Sequence, residues 1–187
     1  MIITVSGTGG SGKSSVAKIL ASKLGYAHAS IGDLQREIAR EKSISILELG
    51  ELEAKDRKID ALIDEKQSRL GERENIVIDT WLGAHFIPHA FKVFIDADLA
   101  VRVDRRVKQK REEESFEDKN EAMKSLKARE EINRERWIRY YGFDYLDKSN
   151  YDLIIDTTHR TAEEVAKAIL DKIDEAAPKR NWPKRNR

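Results

Sequence analysis

Short apolar runs alternate with helical spacings along the chain. Residues 1–5 are apolar and β-branched, lead straight into glycines, and are followed by Val16, Ile19, Leu20 and Leu24 at helical intervals. That pattern predicts strand, loop, helix. Residues 76–78, 91–95 and 153–155 form three further apolar runs, each followed by an acid: Asp79, Asp96 and Asp156. Continuous runs of this kind suit strands covered on both faces. Between them lie helical patterns, Leu52, Ile59, Leu62, Ile63 and Leu70, then Val165, Ile169, Leu170 and Ile173. The last group is entered by a capping box, Thr161-x-x-Glu164. The alternation predicts an α/β fold in which helices wrap a parallel sheet.

Three segments break this rhythm. Residues 38–71 read as helical throughout and separate a second strand, ahead of them and without an apolar run, from the third at 76–78 by more than a simple crossover needs, so they read as an insertion. Residues 108–139 are dominated by charge and hold few apolar anchors, which on its own describes a solvated helix supported by i,i+4 pairs. Residues 178–187 carry Lys179, Arg180, Lys184, Arg185 and Arg187 with no acid, the composition of a disordered basic tail.

Composition narrows the chemistry. At 187 residues, 40% hydrophobic and 37% charged, the chain suits one α/β domain. With 35 Lys and Arg against 34 Asp and Glu, it carries no global field for a polyanion, so any polyanion site must be local. The absence of cysteine excludes disulfides, thiol nucleophiles and Cys-bound zinc. No apolar run approaches 18 residues and no signal segment is readable, so a cytoplasmic protein without a membrane span is expected.

Gly7-Thr8-Gly9-Gly10-Ser11-Gly12-Lys13-Ser14 satisfies G-x-x-x-x-G-K-[ST] between a predicted strand and a predicted helix, the context that the motif requires. Glycines let the backbone curl so that successive N–H groups point at phosphate oxygens, and the helix N-terminus adds positive potential. Lys13 then reaches the β- and γ-phosphates of a nucleoside triphosphate, and the Ser14 hydroxyl ligates Mg²⁺. We count these eight residues and the adjoining Ser15 as the triphosphate site. Asp79, ending a strand beside the loop, is a second candidate for the Mg²⁺ shell or a simple cap. Trp81 either stacks on a base or fills the pocket floor. His85 and His89 stand four apart, but Pro88 between them argues against a helical metal pair.

No N-K-x-D segment of a GTPase is present. Lys23-Leu24-Gly25-Tyr26, Ser30-Ile31-Gly32-Asp33-Leu34-Gln35-Arg36 and the triad Arg129, Asn133, Arg136, on one helix face, resemble the nucleoside monophosphate kinases, most closely the archaeal-type cytidylate kinases. The resemblance covers residues 1 to about 173. It implies a three-layer P-loop NTPase fold with a five-stranded parallel sheet. Within a kinase domain of residues 1–177, it makes 38–71 the helical monophosphate-binding flap and 108–118 a short lid. It also implies that Arg36, with Ser30 nearby, holds the acceptor phosphate in a pocket that Asp79 and Trp81 adjoin. Arg129 and Arg136 would stabilise the transferred phosphoryl group, and Arg105 would pack on the donor base. The sequence departs from the family at Trp81, where an arginine is usual, and at Asn133, which replaces an acid.

The activity so implied is transfer of the ATP γ-phosphoryl group to CMP or dCMP by a monomer. Two alternatives stay open: a P-loop kinase for another nucleotide or small metabolite, and a nucleotide-dependent protein that binds RNA weakly through its basic tail.

Overall fold

Each apolar run becomes a strand. In the computed structural model, which describes residues 1–109 and 116–176, β1 (Ile2–Gly7), β2 (Ala27–Ser30), β3 (Ile76–Asp79), β4 (Phe91–Asp96) and β5 (Leu153–Asp156) form one sheet. Its order is β2-β3-β1-β4-β5 and every pairing is parallel. β2 has no apolar run of its own. Its residues Ala27-His28-Ala29-Ser30 become a strand by pairing with β3, Ala27 beside Ile76 and Ser30 beside Asp79.

Helices α1 (Lys13–Leu24) and α8 (Ala162–Ala176) cover one face, where Ile3, Val5, Val77, Val93 and Ile95 meet Leu20, Val165 and Ile169. The opposite face packs against α2 (Ile31–Glu41), α4 (Arg57–Leu70) and the short α5 (Gly83–Phe86) through Ile2, Ile63, Leu70, Ile76 and Ile78. On that side Phe94, Trp137, Tyr145 and Tyr151 form a separate aromatic cluster. Alternate side chains of β1 thus enter different cores, which is the three-layer arrangement expected of the sequence. The remaining helices are α3 (Ile46–Lys55), α6 (Leu99–Lys108) and α7 (Lys119–Tyr141). The Thr161–Glu164 capping box forms, the Glu164 amide donating to Thr161 Oγ1 and the Thr161 amide to the Glu164 carboxylate.

Three sequence expectations are corrected. Residues 38–71 are not one helical run: α2, α3 and α4 are separated at Ser43, whose φ is +54°, and at Asp56, which caps α4 by accepting from the Lys58 amide. Leu52 and Leu62 do not share a buried face with Ile63 and Leu70. They are 41% and 56% exposed, because α3 buries Ile46 and Leu49 and α4 turns Asp60, Ile63 and Gln67 inward instead. β5 is covered on one side only, with Ile154 48% exposed at the sheet edge. Most of the expected lid (residues 110–115) and the whole basic tail lie outside the described residues.

The charged helix α7 also departs from a solvated rod. Ala122, Leu126, Arg129, Asn133, Arg136 and Trp137 are buried along one stripe, so both arginines of the triad face the interior.

Candidate active site

The loop after β1 closes tightly on its neighbours. At Gly7, φ is +144° and a β-carbon would stand 1.9 Å from the Ile95 carbonyl oxygen; at Gly10, φ is +80° and a β-carbon would stand 2.7 Å from the Arg102 carbonyl. Only glycine fits such approaches without displacing backbone. Thr8 Oγ1 donates to Asp96 at 2.6 Å, and Glu130 on α7 accepts from the Gly9 amide at 2.8 Å while pairing with Arg102 at 2.6 Å. Three separate elements therefore hold the loop in shape.

The loop forms one wall of a cavity of ≈ 420 Å³, a size suited to small-molecule ligands. Residues 9–15 line it, whereas Gly7 and Thr8 lie behind, their carbonyls accepting from Lys13 Nζ at 2.9 and 2.7 Å. Burial pushes the Lys13 ammonium down to about 7. Nearby Arg129 and Arg106 add to that drop, while Asp79 and Glu130 oppose it. Ser14 Oγ donates to Asp79 Oδ2 at 2.5 Å, and Ser30 Oγ reaches the same oxygen at 3.2 Å. A hydroxyl and a carboxylate together at the loop edge are hard oxygen donors, a set that fits Mg²⁺. Ser30 itself caps α2 by accepting from the Asp33 amide and does not line the cavity.

Beyond the loop the cavity has two ends. At one, Arg105 Nη2 donates to the Thr157 carbonyl at 2.7 Å, and Arg105 Nη1 to Thr157 Oγ1 at 3.0 Å, while Thr157 Oγ1 donates to the Ser11 carbonyl at 2.9 Å. Arg105 is thus pinned between the loop and the segment entering α8. The other end is built from α2 and α4, with Arg36, Ile31, Ile63, Asp64 and Gln67 lining it and Arg36 paired to Asp33. Arg129 lies over the Trp81 ring at 5.1 Å and Lys13 at 5.3 Å, so both cations share the Trp81 wall of the cavity.

Trp81 belongs to the floor. Its ring stacks on Tyr145 at 5.4 Å with 6° between planes and meets Trp137 edge-on at 5.3 Å. Arg136 also lines the cavity but is only 1% exposed in its side chain, pairing with Glu53 at 2.6 Å and Asp60 at 3.4 Å and donating to the Gly50 carbonyl at 3.1 Å. It ties α7 to the helices of the 38–71 segment. His85 packs among Phe86, Tyr141 and Phe143, while His89 lies beyond the end of α5 and bonds the Gly71 carbonyl.

Sequence reasoning missed Glu130, Arg102 and Arg106, all buried or half-buried beside the loop, and the inward stripe Asp60, Asp64, Gln67. The four-and-three spacing of that stripe repeats the pattern that singled out Arg129, Asn133 and Arg136, so it was available as a signal. Among the described residues, eight cationic side chains (Lys13, Arg36, Arg105, Arg106, Lys108, Arg129, Arg136, Arg160) and three carboxylates line the cavity. A chain of net charge +1 has gathered its positive field here.

Both the sequence and the fold have known relatives. A profile of the cytidylate kinase-like family matches residues 2–159. The cytidylate kinase of Methanothrix thermoacetophila is 41% identical over 157 residues, covering 84% of this chain and 88% of the relative. That of Sulfolobus acidocaldarius is 38% identical over 173 residues, covering 91% and 92%. Among solved structures, shikimate kinase from Aquifex aeolicus superimposes with a TM-score of 0.59 at 25% identity, covering 95% of this chain and 98% of that one. A protein from Eubacterium ventriosum gives a TM-score of 0.64 at 18% identity, over 93% and 98%. Among the described residues no helix is long and apolar enough to cross a membrane.

Proposed function

The chain belongs to the cytidylate kinase-like family, and we infer from that premise that it transfers the γ-phosphoryl group of ATP to CMP or dCMP, giving CDP or dCDP. The observation that carries the reading is one cavity that joins a phosphate loop to a second end holding Arg36, with Lys13 and Arg129 together over Trp81 in its lining. Phosphoryl transfer is catalysed mainly by positioning and charge stabilisation, which this arrangement supplies.

In this reading the loop amides and Lys13 hold the triphosphate, and Arg105 packs against the donor base. Arg36 holds the acceptor phosphate, one oxygen of which attacks the γ-phosphorus in line. The bond from that phosphorus to the β,γ-bridging oxygen breaks, and ADP leaves. Arg129 neutralises charge on the moving group. Ser14 and Asp79 would hold Mg²⁺, which when bound offsets charge on the β- and γ-phosphates. Residues 38–71 act as a flap and 108–118 as a lid, excluding water that would otherwise take the phosphoryl group.

An acceptor panel of CMP, dCMP, UMP and shikimate, read as ADP release, tests the assignment. CMP and dCMP are expected to stimulate release most. Stimulation by shikimate alone, or by no acceptor, overturns it. Arg36→Ala is expected to raise the KM for CMP about tenfold or more, in line with loss of a charge-assisted phosphate contact, and to leave the KM for ATP within about twofold. Equal rises in both would remove Arg36 from the acceptor end.

A further inference from the structure

Helix α4 is amphipathic in the wrong sense for packing alone. It leaves Leu62 exposed and turns Asp60, Asp64 and Gln67 into the cavity beside Ile63. Polar groups placed there are costly unless something pairs with them. We propose that Asp64 and Gln67 read the Watson–Crick edge of the acceptor base and select cytosine over uracil. The assignment rests on the CMP kinase reading and deepens it.

The polarity of Gln67 is set by a relay. Thr80 Oγ1 accepts from the Leu82 amide at 3.2 Å, so its single hydrogen is free to be donated, and it points to Gln67 Oε1 at 2.5 Å. With its oxygen engaged, the amide of Gln67, a residue only 1% exposed, offers its NH₂ group as a donor. Asp64 has the opposite polarity. Tyr141 donates to its Oδ2 at 2.7 Å, and the side chain lines the cavity, so the remaining carboxylate oxygen is an acceptor there. One turn of helix thus offers an acceptor and then a donor.

Cytosine presents the complement, a 4-amino donor next to the N3 acceptor. Uracil presents the reverse, the O4 acceptor next to the N3–H donor, and would set acceptor against acceptor and donor against donor. Ile31 and Ile63 give the ring apolar surface. A site built to hydrogen-bond one edge rejects the other strongly, because its own buried polar groups are then left unpaired.

The experiment measures kcat/KM for CMP, UMP and the monophosphate of pyrimidin-2-one riboside, which lacks the 4-amino group, with wild type, Asp64→Asn, Gln67→Glu and the double variant. Each substitution keeps its internal bond, since an amide oxygen still accepts from Tyr141 and a carboxylate from Thr80, but inverts the polarity offered to the base. In wild type the amine-free acceptor is expected to fall about 10- to 100-fold below CMP, the worth of a good base-edge contact. Each single variant should lower kcat/KM for CMP by a similar factor while leaving the KM for ATP within about twofold. The double variant should prefer UMP. Wild type that uses the amine-free acceptor as well as CMP overturns the assignment whether or not any variant folds. So do folded variants whose CMP to UMP ratio stays within about twofold of wild type. Wild type indifferent to CMP overturns the kinase reading itself, and this assignment with it.

Discussion

Lys13→Ala is expected to lower kcat by about three orders of magnitude or more, the scale associated with removing a cation from a phosphoryl-transfer site. The fold should survive. Among the described residues, Lys13 Nζ donates to the Gly7 and Thr8 carbonyls, and the Thr8 carbonyl keeps its bond from Ser11 Oγ at 2.8 Å. Removing a buried ammonium also relieves the desolvation that drives it down to about 7. The same shift gives a pH signature. Below about pH 7 the free enzyme already carries the ammonium that the triphosphate needs. Above it, binding must recruit a proton, so ATP affinity falls by up to about tenfold per pH unit. Calorimetry at pH 8 in buffers of different ionisation heat should record proton uptake on ATP binding in wild type and none in Lys13→Ala. Turnover above about a tenth of wild type, with ADP release as readout, would remove Lys13 from the chemistry.

Arg136→Ala should destabilise the protein by about 3–5 kcal/mol, because it leaves the buried carboxylates of Glu53 and Asp60 without their cation. For a chain of this size that corresponds to a fall in melting temperature on the order of 10 °C. Asp60 makes the penalty pH-dependent. Burial raises its pKa to about 7, partly offset by Arg136 and reinforced by Glu53. Its folded pKa lies above its unfolded value, so the folded state binds the extra proton between about pH 4 and 7, and this group's contribution to stability falls as pH rises through that window. Without Arg136 the pKa climbs further, so the variant's deficit should be larger at pH 8 than at pH 6. Thermal melts at both values measure it; midpoints within about 2 °C of wild type at pH 8 would show that the pairing contributes little. Arg136 then has two attachments, the cavity it lines and the helices it anchors, and a loss of activity in this variant reads correctly only beside its stability.

The tight loop between β1 and α1 was legible because its features are local. Its glycines, Lys13 and Ser14 all fall within residues 7–14, and phosphate binding is what that spacing implies. The strands at 76–78 and 91–95 were legible because burial on both faces demands an unbroken apolar run, and the Thr161–Glu164 box because its partners are three residues apart. β2 was not, since Ala27-His28-Ala29-Ser30 carries no apolar signal and gains its hydrogen bonds from β3.

For the rest of the site, the chain by itself determined which groups share a helix face, and tertiary packing decided what those faces meet. Arg129 and Arg136 have the same spacing signature, yet one stands over Trp81 beside Lys13 and the other is locked between Glu53 and Asp60, dozens of residues away in sequence. Trp81 could be read from sequence as a stacking platform or as floor, and only the approach of Tyr145 and Trp137 makes it floor. The spacing of Asp64 and Gln67 puts them on one helix face, and only the approach of Tyr141 and Thr80 decides which of their polar atoms stay free to bind. Periodicity is a property of one element and survives in the sequence. The partner that gives a buried charge or amide its state comes from another element, and only the folded chain supplies it.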